Sequence, residues 1–132
     1  MKSGKEIQKV VFDSKKIKLG VGMELPAGFE AVVVPRSSTF SRTKTILANS
    51  QGVIDNCYCG DDDEWMYPVI ALNTSHIKKG QAICQFRIQL SQKATVWQKL
   101  KWLFSRKIKF IQTDKLRDVN RGGFGSTDKE TV

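Results

Sequence analysis

Short alternations of apolar and polar residues constrain the fold of this chain more than any other feature. Side chains of a strand point alternately to opposite faces, so a period of two predicts β-strands. Turn residues such as Gly52, Gly60 and the pair Lys79-Gly80 separate the alternating runs. The runs are KIKL at 16–19, FEAVVV at 29–34, YPVIAL at 67–72 and ICQFRIQL at 83–90. Many short strands with regular turns predict an all-β fold, a sandwich or a jelly-roll barrel.

Within the run 83–90, the alternation assigns side chains to two faces. Apolar residues share one face, and Gln85 lies on the other, away from the apolar side. The apolar set is Cys84, Phe86, Ile88 and Leu90.

One segment departs from the period of two. Val96, Leu100, Leu103 and Phe104 recur at helical spacing after Thr95, a good N-cap residue. This predicts an amphipathic helix over 95–105, with its apolar face packed on the barrel, followed by a strand over 107–112. The alternative is an insert that binds a partner or a nucleic acid. Lys99, Lys101, Arg106 and Lys107 would then follow phosphates, but the interleaved Trp97 and Trp102 favour packing.

The domain organisation predicted from the sequence is simple. The length of 132 residues suits one domain, with a β-barrel over 1–116 and a flexible, glycine-rich arm over 117–132. No apolar run approaches the ~20 residues of a membrane span, and MKSGKEIQKV does not resemble a signal peptide. We therefore expect a cytoplasmic protein with no membrane partner.

The scarcity of histidine limits the chemistry that the chain can carry. His76 is the only histidine, which argues against Ser-His and Cys-His catalysis and against multi-histidine metal sites. Cys57, Cys59 and Cys84 lack zinc-site spacing and are interpreted as reduced structural thiols. Hydrolytic chemistry would rest on carboxylates, on backbone donors and on a metal bound mainly by the substrate.

Positive charge is concentrated in one part of the chain. The net charge is +9, and no acidic residue occurs between Trp65 and Thr113. Such a field favours a polyanionic partner, whether nucleotide phosphates, nucleic acid or an anionic surface. Charge alone does not choose among them.

Four segments could carry chemistry, and each has a plainer interpretation. Arg36 and Ser37 in PRSS suit a phosphate contact or a solvated turn. Asp55, after two apolar residues, is either a turn-former or a carboxylate at the lip of a pocket. KKGQAICQ at 78–85 is a turn and a strand beginning at Gln81. RGGFGST at 121–127 suits a phosphate- and base-binding loop or a disordered tail, but is not a P-loop.

The order of these segments is more specific than any one of them. PRSS, NSQGVIDNCYCG, KKGQAICQ and RGGFGST resemble the second to fifth motifs of trimeric dUTPases over residues 20–127. LGVGMELPAGFEAVVVPRSSTF and YCGDDDEWMYPVIAL look like the version found in Gram-positive bacteria and their phages. The resemblance implies a jelly-roll homotrimer with three active sites shared between subunits, which hydrolyses dUTP to dUMP and pyrophosphate.

The resemblance also implies a role for each matching residue. Asp55 would activate the water that attacks the α-phosphorus, and Mg²⁺ would be held by the substrate phosphates and water rather than directly by the protein. Tyr58 would pack on the deoxyribose, and Phe124 of the arm would stack on uracil. The uracil edge would meet Asn49 and the hairpin backbone of Gly52 and Ile54. The phosphate contacts would be Arg36, Ser37, Gln85, Arg121, Gly125, Ser126 and Thr127.

Departures from the family pattern keep a second function open. The first motif, an Asp-containing strand, is not found in MKSGKEIQ, so either the sequence starts after it or this homologue lacks it. Lys44-Thr45 lies where the family often has Gly, and Asp128 replaces a Gly after GST. The alternative is a catalytically impaired member that binds a regulatory protein. A dCTP deaminase of the same fold is disfavoured because GVID, Asn56 and Tyr58 follow the dUTPase pattern.

Overall fold

The computed structural model describes residues 13–105 and 107–117, which form six strands and two helices. The two helices are α1 (Thr39–Thr43) and α2 (Val96–Phe104). The strands are β1 (Asp13–Lys18), β2 (Phe29–Pro35), β3 (Thr45–Leu47), β4 (Gly52–Asp55), β5 (Met66–Ala71) and β6 (Cys84–Leu90). Neither described helix has the length and apolar character needed to cross a bilayer.

The strands form two antiparallel sheets of three strands each. One sheet has the order β1-β5-β3 and the other the order β4-β2-β6. The all-β prediction is confirmed, and the four alternating runs correspond to β1, β2, β5 and β6. The sixth strand begins at Cys84 rather than at Gln81, because Lys79-Gly80 and Gln81 form the preceding turn.

The core lies where the two sheets meet. Ala31 and Val33 of β2 pack in one cluster with Tyr67 and Val69 of β5 and with Trp65. Alternate residues of β5 are buried, as a strand with one core-facing side requires. Removing this apolar surface from water is the main favourable term in folding.

Residues 107–112 do not form the predicted strand. They have no strand hydrogen bonds within the described part of the chain, although Phe110 packs edge-on against Phe86 with ring centroids 6.3 Å apart. Alternation of Lys with apolar residues fits any extended segment, whereas a strand needs a neighbour to pair with. The prediction was wrong because a local pattern does not provide that partner.

The predicted helix is confirmed, but the predicted packing of its apolar face is wrong. Thr95 caps α2, accepting a hydrogen bond from Gln98 N, and the Gln98 side chain accepts one from Thr95 N, a capping box. None of the residues of α2 is buried. The contacts that seat the helix come from its other side, through Gln98 and Trp102.

Lys44 adopts a backbone conformation that favours glycine. It ends α1 with φ 54° and ψ 29°, in the left-handed region. We expect Lys44→Gly to raise the free energy of unfolding by about 1 kcal/mol, because the left-handed penalty of a side chain disappears. Urea denaturation measures the change.

The same replacement in ordinary backbone provides the control. Lys15→Gly, in the middle of β1, should lower the stability by about 0.5–1 kcal/mol. Equal destabilisation by both variants would contradict the assignment of strain to Lys44.

Candidate functional site

Asp55 ends β4 and begins a tight turn. Its Oδ1 atom accepts a hydrogen bond of 3.1 Å from Cys57 N, and its carbonyl accepts one of 3.1 Å from Tyr58 N. The carboxylate is therefore oriented by the turn that it initiates. The two interpretations of Asp55 are compatible, since a half-buried turn aspartate can also face a substrate. The expected hairpin is instead a strand paired with β2 and followed by a turn.

Tyr58 closes this turn with its ring against the core. The ring is half-buried beside the core cluster, and its hydroxyl donates to the Glu64 carbonyl at 3.0 Å. Burial, with smaller contributions from Asp63 and Glu64, raises the pKa of Tyr58. The phenol stays neutral, and the ring is fixed at the end of the turn.

The residues before Asp55 differ in their burial and packing. Asn49 is exposed in the turn between β3 and β4, where Ser50 has φ 61°. Ile54 packs against the core. A Cβ atom added at Gly52 would lie 3.4 Å from Val33 Cβ, an ordinary contact, so packing within one chain does not require glycine there.

Arg36, Ser37 and Gln85 lie together at one end of the β4-β2-β6 sheet. Arg36 N donates to the Ile83 carbonyl at 3.5 Å, and Gln85 Nε2 donates to the Pro35 carbonyl at 3.4 Å. All three side chains predicted to bind phosphate are exposed there. Gln85 faces away from the apolar side, as predicted.

Asp55 lies at the opposite end of that sheet. It pairs with Glu30, whereas Gln85 pairs with Val34, four residues further along β2. At ~3.3 Å per residue the two positions are about 13 Å apart along the strand, and roughly 10 Å apart across it. One chain therefore does not bring Asp55 together with Arg36, Ser37 and Gln85.

The chain at the start of the predicted arm, Leu116 and Arg117, is anchored to the loop that follows Asp55. Leu116 N donates to Asp61 Oδ1 at 2.7 Å, and Arg117 N donates to the Cys59 carbonyl at 3.2 Å. The Arg117 guanidinium also pairs with Glu24 at 2.7 Å. Sequence reasoning did not single out these residues, although the acidic run 61–64 was a signal. The predicted contacts Arg121, Phe124, Gly125, Ser126 and Thr127 lie outside the described residues.

Residues 13–105 and 107–117 contain no group of three or more His, Cys, Asp or Glu residues placed to hold a metal ion. The three cysteines are free, as expected for reduced thiols. Burial raises the pKa of the Cys59 and Cys84 thiols, which favours their unreactive, protonated form.

Known proteins resemble this chain in sequence. It is 47% identical over 113 residues to an SPbeta prophage-derived deoxyuridine 5′-triphosphate nucleotidohydrolase of Bacillus subtilis, covering 86% of this chain and 70% of the relative. It is 30% identical over 122 residues to a deoxyuridine 5′-triphosphate nucleotidohydrolase of Hydrogenobaculum, covering 88% and 72% of the two chains. No family model matches the sequence.

The fold has a counterpart among solved structures. A crystal structure of dUTPase from Streptococcus mutans superposes with a TM-score of 0.51 at 17% identity, covering 66% of this chain and 83% of the other. At that identity the likeness concerns the fold. The sequence relatives define the class more narrowly: the chain belongs to the dUTPase family of nucleotide hydrolases.

Proposed function

We propose that this chain hydrolyses dUTP to dUMP and pyrophosphate. The observation that carries the proposal is the Asp55 carboxylate, oriented by a turn whose other end is the fixed ring of Tyr58. The surrounding segment GVIDNCYCG resembles the motif of the family that contains this carboxylate. A carboxylate and an aromatic platform suit hydrolysis of a nucleotide.

The reaction uses Asp55 as a general base. Asp55 accepts a proton from a water whose oxygen forms a bond to the α-phosphorus, while the bond from that phosphorus to the bridging oxygen breaks and pyrophosphate leaves. A carboxylate both accepts the proton and directs the water, provided that it lies within hydrogen-bond reach, about 3 Å. Tyr58 packs on the deoxyribose and leaves no space for a 2′-hydroxyl. Asn49 and the backbone at Gly52 and Ile54 recognise uracil.

The separation of the site residues supports an active site shared between subunits of a homotrimer. Asp55 of one subunit would face Arg36, Ser37 and Gln85 of another, because these groups lie at opposite ends of the sheet in one chain. The arm would supply Arg121, Phe124, Gly125, Ser126 and Thr127 to close over a site. The contacts of Leu116 and Arg117 hold the start of the arm beside the loop that follows Tyr58.

We propose that Mg²⁺ binds together with the substrate. The ion would be held by the triphosphate and by water; the described residues contain no group of three or more His, Cys, Asp or Glu placed to hold it directly. When bound, it would neutralise phosphate charge and restrict the triphosphate to one conformer.

Substrate preference tests the proposal directly. We expect pyrophosphate release from dUTP in the presence of Mg²⁺, with kcat/KM exceeding that for dCTP, dTTP and UTP by about 10²-fold or more. Cytosine would leave the groups that pair with the uracil edge unpaired, the 5-methyl group of thymine would clash with the hairpin backbone, and the 2′-hydroxyl of UTP would meet the ring of Tyr58. Release of pyrophosphate and of ammonia is measured for each nucleotide.

Three results would contradict this function. Comparable rates with all four nucleotides would remove the assigned specificity. Ammonia release from dCTP would indicate a deaminase of the same fold. A folded protein that binds dUTP without releasing pyrophosphate would support the impaired, regulatory member of the family.

A further inference from the structure

Helix α2 contacts the protein through its more polar side. Gln98 Nε2 donates to the Ala27 carbonyl at 2.9 Å. Trp102 packs edge-on against Phe29, with ring centroids 5.2 Å apart. These two residues lie near one another on the helix circumference and seat it beside the start of β2.

The opposite side of α2 is an apolar surface exposed to solvent. At 3.6 residues per turn, five apolar residues form one continuous arc of roughly 120°. Their exposed fractions are 70% for Val96, 81% for Trp97, 42% for Leu100, 56% for Leu103 and 85% for Phe104. We call this set the apolar arc. Exposure of so many large apolar side chains on one face marks an interaction site.

Lysines border the apolar arc on both sides. Lys99 follows one edge and Lys101 the other, and both are exposed. The segment after the helix repeats this composition, with Ile108, Phe110 and Ile111 exposed by 46%, 62% and 76%. Lys107 and Lys109 alternate with them, and no acidic residue occurs between Trp65 and Thr113.

We propose that the apolar arc docks on an anionic phospholipid surface. A helix with an exposed Trp, Phe and Leu face bordered by lysines lies in a bilayer interface, because the rings and alkyl chains enter the acyl boundary while the ammonium groups reach the headgroup phosphates. The proposal concerns a surface contact rather than a membrane span, and it revises the expectation that this chain has no membrane partner. It does not depend on the proposed hydrolysis.

Charge complementarity disfavours the other occupants. A second copy placed arc to arc would bring the lysine borders of two helices together, with no acidic residue of 66–112 to balance them. In the proposed homotrimer the contacts would be heterologous, so burial of the apolar arc against a different surface of a neighbouring subunit is kept as an outcome of the Trp97 quenching test. A nucleic acid would satisfy the lysines through its phosphates but leave the apolar arc in water. An anionic bilayer satisfies both features.

Vesicle binding tests the proposal. We expect the full chain to sediment with vesicles of equimolar phosphatidylglycerol and phosphatidylcholine, to bind less tightly as salt rises, and to show a blue shift in Trp97 fluorescence. The double variant L103S/F104S should weaken binding on the order of 10- to 100-fold, because both side chains are exposed and their loss removes apolar burial in the bilayer.

A matched pair of charge variants separates the arc from general basicity. K99Q/K101Q should weaken binding about tenfold or more, because each lysine close to an anionic leaflet strengthens binding several-fold through its attraction to the headgroups. K78Q/K79Q removes the same charge from a turn outside α2 and should change it much less. Pyrophosphate release, followed in parallel, should be unchanged by all four substitutions in α2, so failure of vesicle binding is distinct from failure of the enzyme.

Three outcomes would overturn the proposal. The first is absence of sedimentation with the anionic vesicles. The second is equal binding to vesicles of phosphatidylcholine alone. The third is protection of Trp97 from acrylamide quenching in the lipid-free protein, which would mean that a second copy already covers the apolar arc.

Discussion

Replacing Asp55 with Asn is expected to lower kcat for dUTP by about 10²- to 10⁴-fold, the range that a general base contributes. The amide cannot take the proton of the attacking water. It can still accept the hydrogen bond from Cys57 N, because its Oδ1 atom occupies the same place. The fold should survive, and the loss should appear in kcat more than in KM. Single-turnover pyrophosphate release measures it.

Glu30→Gln is the matched control for Asp55→Asn. Glu30 lies directly opposite Asp55 in the ladder, and its carboxylate accepts a hydrogen bond of 2.9 Å from Gln89 that an amide oxygen can also accept. This variant removes one carboxylate charge beside the site and should leave kcat within a few-fold of the parent, since it removes no proton acceptor assigned to the reaction. Near-normal turnover by Asp55→Asn, with dUTP still the preferred substrate, would show that another group activates the water.

Removal of residues 118–132 is expected to reduce kcat/KM for dUTP by on the order of 10²-fold or more, because it deletes the proposed donors to the β- and γ-phosphates together with the ring that stacks on uracil. The cut follows Arg117, so the contacts of Leu116 and Arg117 with Asp61, Cys59 and Glu24 remain. The solution mass should stay that of a trimer. Loss of the trimer would instead assign the arm a structural role.

Mixing the two inactive variants tests whether the sites are shared. Asp55→Asn subunits retain the arm, and the truncated subunits retain Asp55. If a site takes its base and its arm from different subunits, unfolding and refolding the two together should restore part of the activity that neither has alone. No recovery in mixed trimers, verified by mass, would mean that each subunit supplies both.

Local patterns predicted most of the secondary structure, and the failures have identifiable causes. The runs that became β2, β5 and β6 were recognisable because each spans six or more residues rich in apolar, β-branched or aromatic side chains, and 84–90 also alternates strictly. The short helix α1 offered no such signal, with five residues of mixed polarity. The residues 107–112 alternate as a strand does, but no described strand pairs with them.

The candidate site was predicted in composition but not in arrangement. The motif order predicts that Asp55, Tyr58 and Gln85 belong to one site. Only the register of β4 and β6 on β2 shows that Asp55 and Gln85 occupy opposite ends of a sheet. Register depends on which strands become neighbours, and a sequence read along its length does not contain that information.

The amino-acid sequence by itself determined the all-β class, the helix at α2 with its Thr95 cap, and membership of a family defined by ordered motifs. These follow from local periodicity, capping chemistry and motif order, which are properties of short segments. The tertiary structure alone decided which side of α2 meets the protein, how Arg117 anchors the start of the predicted arm, and how far Asp55 lies from Arg36, Ser37 and Gln85. Those features depend on contacts between residues distant in sequence, and their energies are realised only when the chain has folded.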